Sequence, residues 1–184
     1  YERYRMVEYG DIVLDCGANI GLFTLLAAKA VGPKGLVMAI EPEPSNVRLL
    51  KLNIKANKLN NVIVFKAALS DNVGTTKLYL DFFGRSLSHS IILKRSRKAI
   101  TVPTITIDYV VKRLHLRKLD FIKMDIEGAE LSALRGASET LANPNPYIAI
   151  EASHNKTIRE KVISLLKEYE RHVRVERVFV CTWR

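Results

Sequence analysis

The sequence predicts an α/β fold: a doubly wound, mostly parallel sheet with helices on both faces, interrupted by an antiparallel excursion after the third strand. Three observations carry that expectation. Short apolar runs alternate with segments of helical periodicity, the turns between them are brief and rich in Gly, Pro and Asn, and acidic residues stand at the ends of several apolar runs. Alternation of this kind buries a parallel sheet between two helical layers.

The 184 residues suffice for one domain, taken over residues 1–184, with a substantial core. At 48% apolar and 26% charged residues the composition is that of a globular chain and not a disordered one. No apolar run approaches the length of a membrane span, and no secretory signal pattern opens the chain. The first residue is Tyr1 rather than Met, which leaves room for native residues ahead of it. Cys16 and Cys181 match neither a metal nor a redox spacing, so a reducing, cytoplasmic setting is expected. The net charge of +10 suits an encounter with polyanions or anionic cofactors, and equally suits a lysine-rich surface kept for solubility.

Element by element, Ile12–Asp15 is an apolar strand that enters the turn Cys16–Gly21, and Leu22–Ala30 is helix-favouring. Gly32–Gly35 is a turn, and Leu36–Ile40 a second buried strand ending at Glu41. Ser45 is a suitable N-cap for a helix over Asn46–Asn57, where Val47, Leu50 and Ile54 share one face. Val62–Phe65 is a third strand. Thr75–Leu80 and Ile100–Ile105 are β-branched or alternating and enclose the polar segment Arg85–Ser90, which marks the antiparallel excursion. Asp108 is positioned to cap a short helix through Leu114. Leu119–Asp125 is a strand, Ala129–Leu141 a helix, Tyr147–Glu151 a strand, Thr157–Tyr169 a helix and Val173–Val180 strand-like.

Chemistry concentrates at the strand ends. In VLDCGANIGLFT, Asp15 closes the first strand, and Gly17 and Gly21 flank a turn into a helix whose N-terminus favours negative charge. The spacing is D-x-G-x-x-x-G rather than the dinucleotide pattern G-x-G-x-x-G, with Asn19 where a middle glycine would stand. Asn tolerates left-handed backbone, so the turn survives. Asp15 suits a ligand with an ammonium group, and Glu41 can accept from both hydroxyls of a ribose. A nucleoside carrying a cationic amino-acid tail meets both demands, and S-adenosylmethionine is such a molecule. Ala67, Ala68 and Leu69 form the next ligand-facing loop, where small apolar side chains fit a flat adenine ring or ordinary strand-end packing.

These residues resemble the FkbM-type methyltransferases of the class I, Rossmann-like superfamily that uses S-adenosylmethionine. The resemblance runs from about Gly10 to Glu151 and rests on LDCGANIGLFT, AIEPEPSNVRLLKLNI, KAALSD and, most specifically, DFIKMDIEGAELSALRGA. It implies O-methylation of a hydroxyl on a sugar or other small acceptor. It also implies cofactor contacts at Asp15, Gly17, Ala18, Asn19, Gly21, Glu41, Pro42 and Ala67–Leu69.

Ligands of open parallel sheets bind beyond the carboxyl ends of the strands, which directs Asp125 toward the reacting methyl group. Asp125 can serve as the base for the acceptor hydroxyl or as a ligand to a divalent cation such as Mg that acidifies it. Glu127, Glu151 and Asp108 are the other oxygen ligands on offer, and their spacing defines no metal site. Glu127 and His154 are further catalytic candidates, His154 because imidazole titrates near neutrality. Glu130 falls in the first turn of a helix, where a carboxylate favours the helix dipole. The cluster Lys94, Arg95, Arg97 and Lys98 leaves a nucleic acid acceptor open, with RNA methylation the rival activity and a non-catalytic cofactor-binding module the rival class. NPNPY at Asn143–Tyr147 resembles a base-methylation motif but lies between helix and strand, where Asn and Pro punctuate turns.

Overall fold

The apolar runs form the strands expected of them. The computed structural model describes residues 7–80, 98–142, 146–151, 156–169 and 178–180. Its strands are β1 (Ile12–Cys16), β2 (Leu36–Ile40), β3 (Val62–Phe65), β4 (Ala68–Leu69), β5 (Gly74–Tyr79), β6 (Ala99–Ile105), β7 (Phe121–Met124), β8 (Tyr147–Ile150) and β9 (Val178–Val180). Its α-helices are α1 (Leu22–Val31), α2 (Pro44–Ala56), α3 (Ile107–Arg113), α4 (Glu130–Arg135), α5 (Ser138–Ala142) and α6 (Lys156–Glu168).

Six strands form one parallel sheet in the order β3-β2-β1-β7-β8-β9. Side-chain alternation sends Val13, Val37, Phe121 and Tyr147 to one face, where α1 packs, and Leu14, Met38, Ile122 and Ile148 to the other, under α3, α4, α5 and α6. Leu50 of α2 joins Ala39 on the α1 face. Both faces are therefore covered, which is why these strands are apolar at nearly every position. A second sheet, β4-β6-β5, holds the excursion: β5 and β6 run antiparallel with Gly74 opposite Thr104 and Tyr79 opposite Ala99, and β4 runs parallel to β6. Among the described residues no helix is long and apolar enough to cross a membrane. Arg85, Ser86, Ser88, His89, Ser90, Lys94, Arg95, Arg97, His154 and Cys181 lie outside the described residues, as does the beginning of NPNPY.

Four local expectations are corrected, the first in the stretch Ala67–Leu69, expected as a loop, where Ala68 and Leu69 pair with Thr104 and Ile105 as β4. The N-cap of α2 is Glu43, whose carboxylate accepts the Asn46 N–H at 2.7 Å, because Pro44 already occupies the first helical position and Ser45 lies inside the helix. Thr106, not Asp108, caps α3 by accepting the Tyr109 N–H at 2.9 Å. Asp108 instead reaches across to α5, accepting from the Glu139 and Thr140 N–H groups at 3.0 and 2.8 Å and from the Thr140 hydroxyl. The single helix expected over Ala129–Leu141 is broken into α4 and α5 at Gly136. A Cβ on Gly136 would stand 2.3 Å from the Ser70 carbonyl oxygen, so the chain passes there only as glycine, and Asp108 supplies the donors of the restarted helix with an acceptor.

Between β7 and α4 the chain turns through a short loop that Glu130 holds from within. Its side chain is 1% exposed and accepts the N–H groups of Ile126 at 3.2 Å and Gly128 at 3.1 Å. The role is structural, a helix-start carboxylate reaching back to stray donors. Burial pushes the Glu130 carboxyl above its ordinary 4.5; its backbone hydrogen bonds pull it down without cancelling that, and Asp125 adds to the rise. With the folded value above the unfolded one, the folded chain holds this proton more tightly, and ionisation removes stability as pH climbs above 4.5. Glu130→Gln keeps the acceptor and drops the charge. Urea unfolding should show the variant at least as stable as the parent near neutrality, with a flatter dependence on pH; a clear loss of stability near neutrality would mean that the charge itself holds the loop.

Candidate functional site

At β1 the winding of the sheet changes direction. The chain leaves β1 for α1 on one face and leaves the neighbouring strand β7 for α4 on the other. A crevice must open between the two strand ends, the usual ligand site of an open α/β sheet. A cavity of about 410 Å³ lies there.

Gly17, Ala18, Asn19, Glu41, Pro42, Ala67, Ala68, Leu69, Asp125 and Glu127 all line it. Asp15 and Gly21 are not among the lining residues: Asp15 lies beneath the cavity and Gly21 starts α1. The glycine turn is built by close approach. At φ 79° Gly17 faces the β7 end so tightly that a Cβ would fall 2.0 Å from the Asp125 carbonyl oxygen, while the Gly17 and Ala18 N–H groups both donate to Ile40 O at 3.0 Å. Asn19 adopts φ 51°, the left-handed conformation its residue type tolerates.

That turn presents the Asn19 N–H to Glu41 Oε2 at 2.8 Å. Glu41 is 5% exposed, and its Oε1 also accepts from the Glu43 N–H at 3.0 Å and the Asn46 amide at 3.3 Å. Burial raises its pKa above the ordinary value, and the hydrogen bonds only partly offset that. A carboxylate has about four lone-pair sites, so these three donors leave Glu41 capacity for one ligand hydroxyl. Opposite, Asp125 is fixed by its own N–H, which donates to Cys16 O at 3.1 Å. Glu127 is held at φ 52°, a conformation that costs a residue other than glycine about 1 kcal/mol or more. Beyond β3, on the side of Glu41 away from Asp125, the wall is apolar, with Ala67, Ala68 and Leu69 at most 4% exposed, and Leu78 from β5 also lining the cavity.

Asp15 is fully buried and answered from inside the chain. The Thr24 hydroxyl of α1 donates to Oδ2 at 2.6 Å, and the Lys123 ammonium lies 3.3 Å from Oδ1. Asp15 and Lys123 are direct register partners across β1 and β7, which places both side chains on the same face. Lys123 then stretches to the strand end, donates to Gly17 O at 3.1 Å and joins the cavity lining. Burial pulls its pKa down, but the charges of Asp15 and Asp125 and the hydrogen bond to Asp15 outweigh this and leave it above the ordinary lysine value. Lys123, Asn46 and Leu78 had not been expected at the site. The signal for Lys123 was there: a lone charge inside an apolar run, whose alternation matches that of Asp15 on the neighbouring strand.

Cys16 is buried, and burial first and Asp15 second raise its thiol far above its ordinary value, so it is no nucleophile. Among the described residues no group of three or more His, Cys, Asp or Glu is arranged to hold a metal ion.

Comparison with known proteins agrees with this geometry. A model of the methyltransferase FkbM domain matches residues 15–174. The chain is 27% identical over 186 residues to methyltransferase sdnD of Sordaria araneosa, covering 85% of this chain and 71% of that one. It is 27% identical over 161 residues to the hexuronic acid methyltransferase AglP of Haloferax volcanii, covering 88% of this chain and 63% of that one. The crystal structure of a methyltransferase FkbM from Methylobacillus flagellatus superposes with a TM-score of 0.67 at 24% identity, over 90% of this chain and 38% of that chain. The fold thus belongs to a known architecture, and this chain is a member of the FkbM methyltransferase family.

Proposed function

We propose that the cavity binds S-adenosylmethionine and that the chain transfers its methyl group to a hydroxyl of a small acceptor, with sugars the favoured class. The observation that carries this is one cavity lined, in the order of the strand ends, by an apolar patch at Ala67–Leu69 beyond β3, by Glu41 beyond β2 and by Asp125 and Glu127 beyond β7, the order of adenine, ribose and sulfonium in the cofactor. A ribose hydroxyl suits the remaining acceptor site of Glu41, an adenine ring suits the apolar wall, and a sulfonium suits the two carboxylates. S-adenosylmethionine, when bound, supplies an electrophilic methyl group.

The chain's part is to position and to move a proton. The glycine turn and Glu41 orient the nucleoside, and the close packing of Gly17 against Asp125 fixes the distance between that turn and the acceptor side. Asp125 accepts the proton of the acceptor hydroxyl as its oxygen attacks, and Glu127, on the same wall, orients the hydroxyl. AglP is named for a hexuronic acid, which supports a sugar acceptor, although the chain spans only 63% of that relative's length.

Titration calorimetry should show S-adenosylhomocysteine binding and no binding of NAD; the reverse would remove the cofactor assignment. Asp125→Asn should retain affinity for S-adenosylhomocysteine within about threefold while turnover on an identified acceptor falls about a hundredfold or more, the range of a lost general base. Turnover that survives the substitution excludes Asp125 as the base.

A further inference from the structure

The expectation that Asp15 meets the ammonium of the cofactor leaves one observation out of account. Two groups that would suit a ligand ammonium, the Asp15 carboxylate beneath the cavity and the Gly17 carbonyl, are engaged by an ammonium of the chain itself, that of Lys123. The engagement is built in: Asp15 and Lys123 face each other in register on adjacent strands, Thr24 completes Asp15, and the side chains of Asp15 and Lys123 are 0% and 22% exposed. The residual exposure of Lys123 opens into the cavity, where the other charged lining residues are Glu41, Asp125 and Glu127. Among the described lining residues Lys123 is the sole cation. An ammonium has more donors than Asp15 and Gly17 use. The tail of S-adenosylmethionine carries a carboxylate, which three like-charged walls repel and one cation attracts.

We propose that Lys123 is the carboxylate-recognising residue of the cofactor site, neutralising Asp15 from below and directing its remaining donor to the α-carboxylate of the methionine tail. This rests on S-adenosylmethionine being the cofactor. Lys123 thereby makes the cavity selective for the intact amino-acid tail. It is a specificity residue and does not act on the reacting methyl group.

The test compares three ligands by calorimetry: S-adenosylhomocysteine, its analogue lacking only the α-carboxylate, and 5′-methylthioadenosine, which lacks the whole tail. The parent should prefer S-adenosylhomocysteine to the decarboxylated analogue by about tenfold or more, the value of a charge-assisted hydrogen bond. Lys123→Met should erase that preference and leave affinity for 5′-methylthioadenosine unchanged. Because Lys123→Met strands a buried Asp15, the double variant Asp15→Asn/Lys123→Met is measured in parallel; replacing both members of a buried pair is commonly tolerated. A variant that keeps the preference, or a parent that shows none, overturns the proposal. A purely structural Lys123 would weaken all three ligands alike. A parent that binds none of the three overturns the cofactor assignment itself, and with it this inference.

Discussion

The site depends on how closely the turn after β1 approaches the loop after β7. At Gly17 a single carbon atom would collide with the Asp125 carbonyl oxygen, and the Asp125 N–H is bonded back to Cys16 O. This contact locks two strand ends together at the point where the helices diverge to opposite faces, so the crevice above them has a fixed floor. Asp15 lies under that floor, tied to α1 by Thr24 and paired with Lys123, whose ammonium reaches the cavity lining. A buried carboxylate without such partners would be strongly unfavourable, so burial here requires the pair. Below it, Phe121 stacks between Phe23 and Tyr147, with ring centroids 6.1 and 5.2 Å away, and extends the packing from α1 across β7 to β8.

On that floor the molecule arranges charge against its overall balance. The chain carries a net +10, yet the charged residues lining the cavity are Glu41, Asp125, Glu127 and one lysine. Each carboxylate is placed by backbone: Glu41 by the Asn19 turn, Asp125 by the β1 end, Glu127 by a left-handed conformation. A cationic sulfonium cofactor fits such a cavity.

Much of this was legible in the sequence because it was local. Strand ends at Asp15, Glu41 and Asp125, the turn tolerance of Asn19 and the antiparallel excursion all follow from short-range pattern. What was not legible depended on residues far apart in the chain. The partner of Asp15 is set by β1 lying beside β7, which no local window reveals. The need for glycine at 136 is set by the Ser70 carbonyl, and the carboxylate of Asp108 serves α5 rather than its own helix. The acidic stretch DFIKMDIEGAE likewise separates by environment: Glu130 is consumed in holding the loop, whereas Asp125 and Glu127 line the cavity.

The central claim is that this cavity delivers a methyl group to a hydroxyl. It is tested most directly by incubating the chain with methyl-labelled S-adenosylmethionine and a panel of sugars, glycolipids, phenols and tRNA, with and without Mg²⁺, and locating the label. The account predicts label on a hydroxyl oxygen of a small acceptor. Label found on tRNA alone, or on a nitrogen or carbon atom, would contradict it.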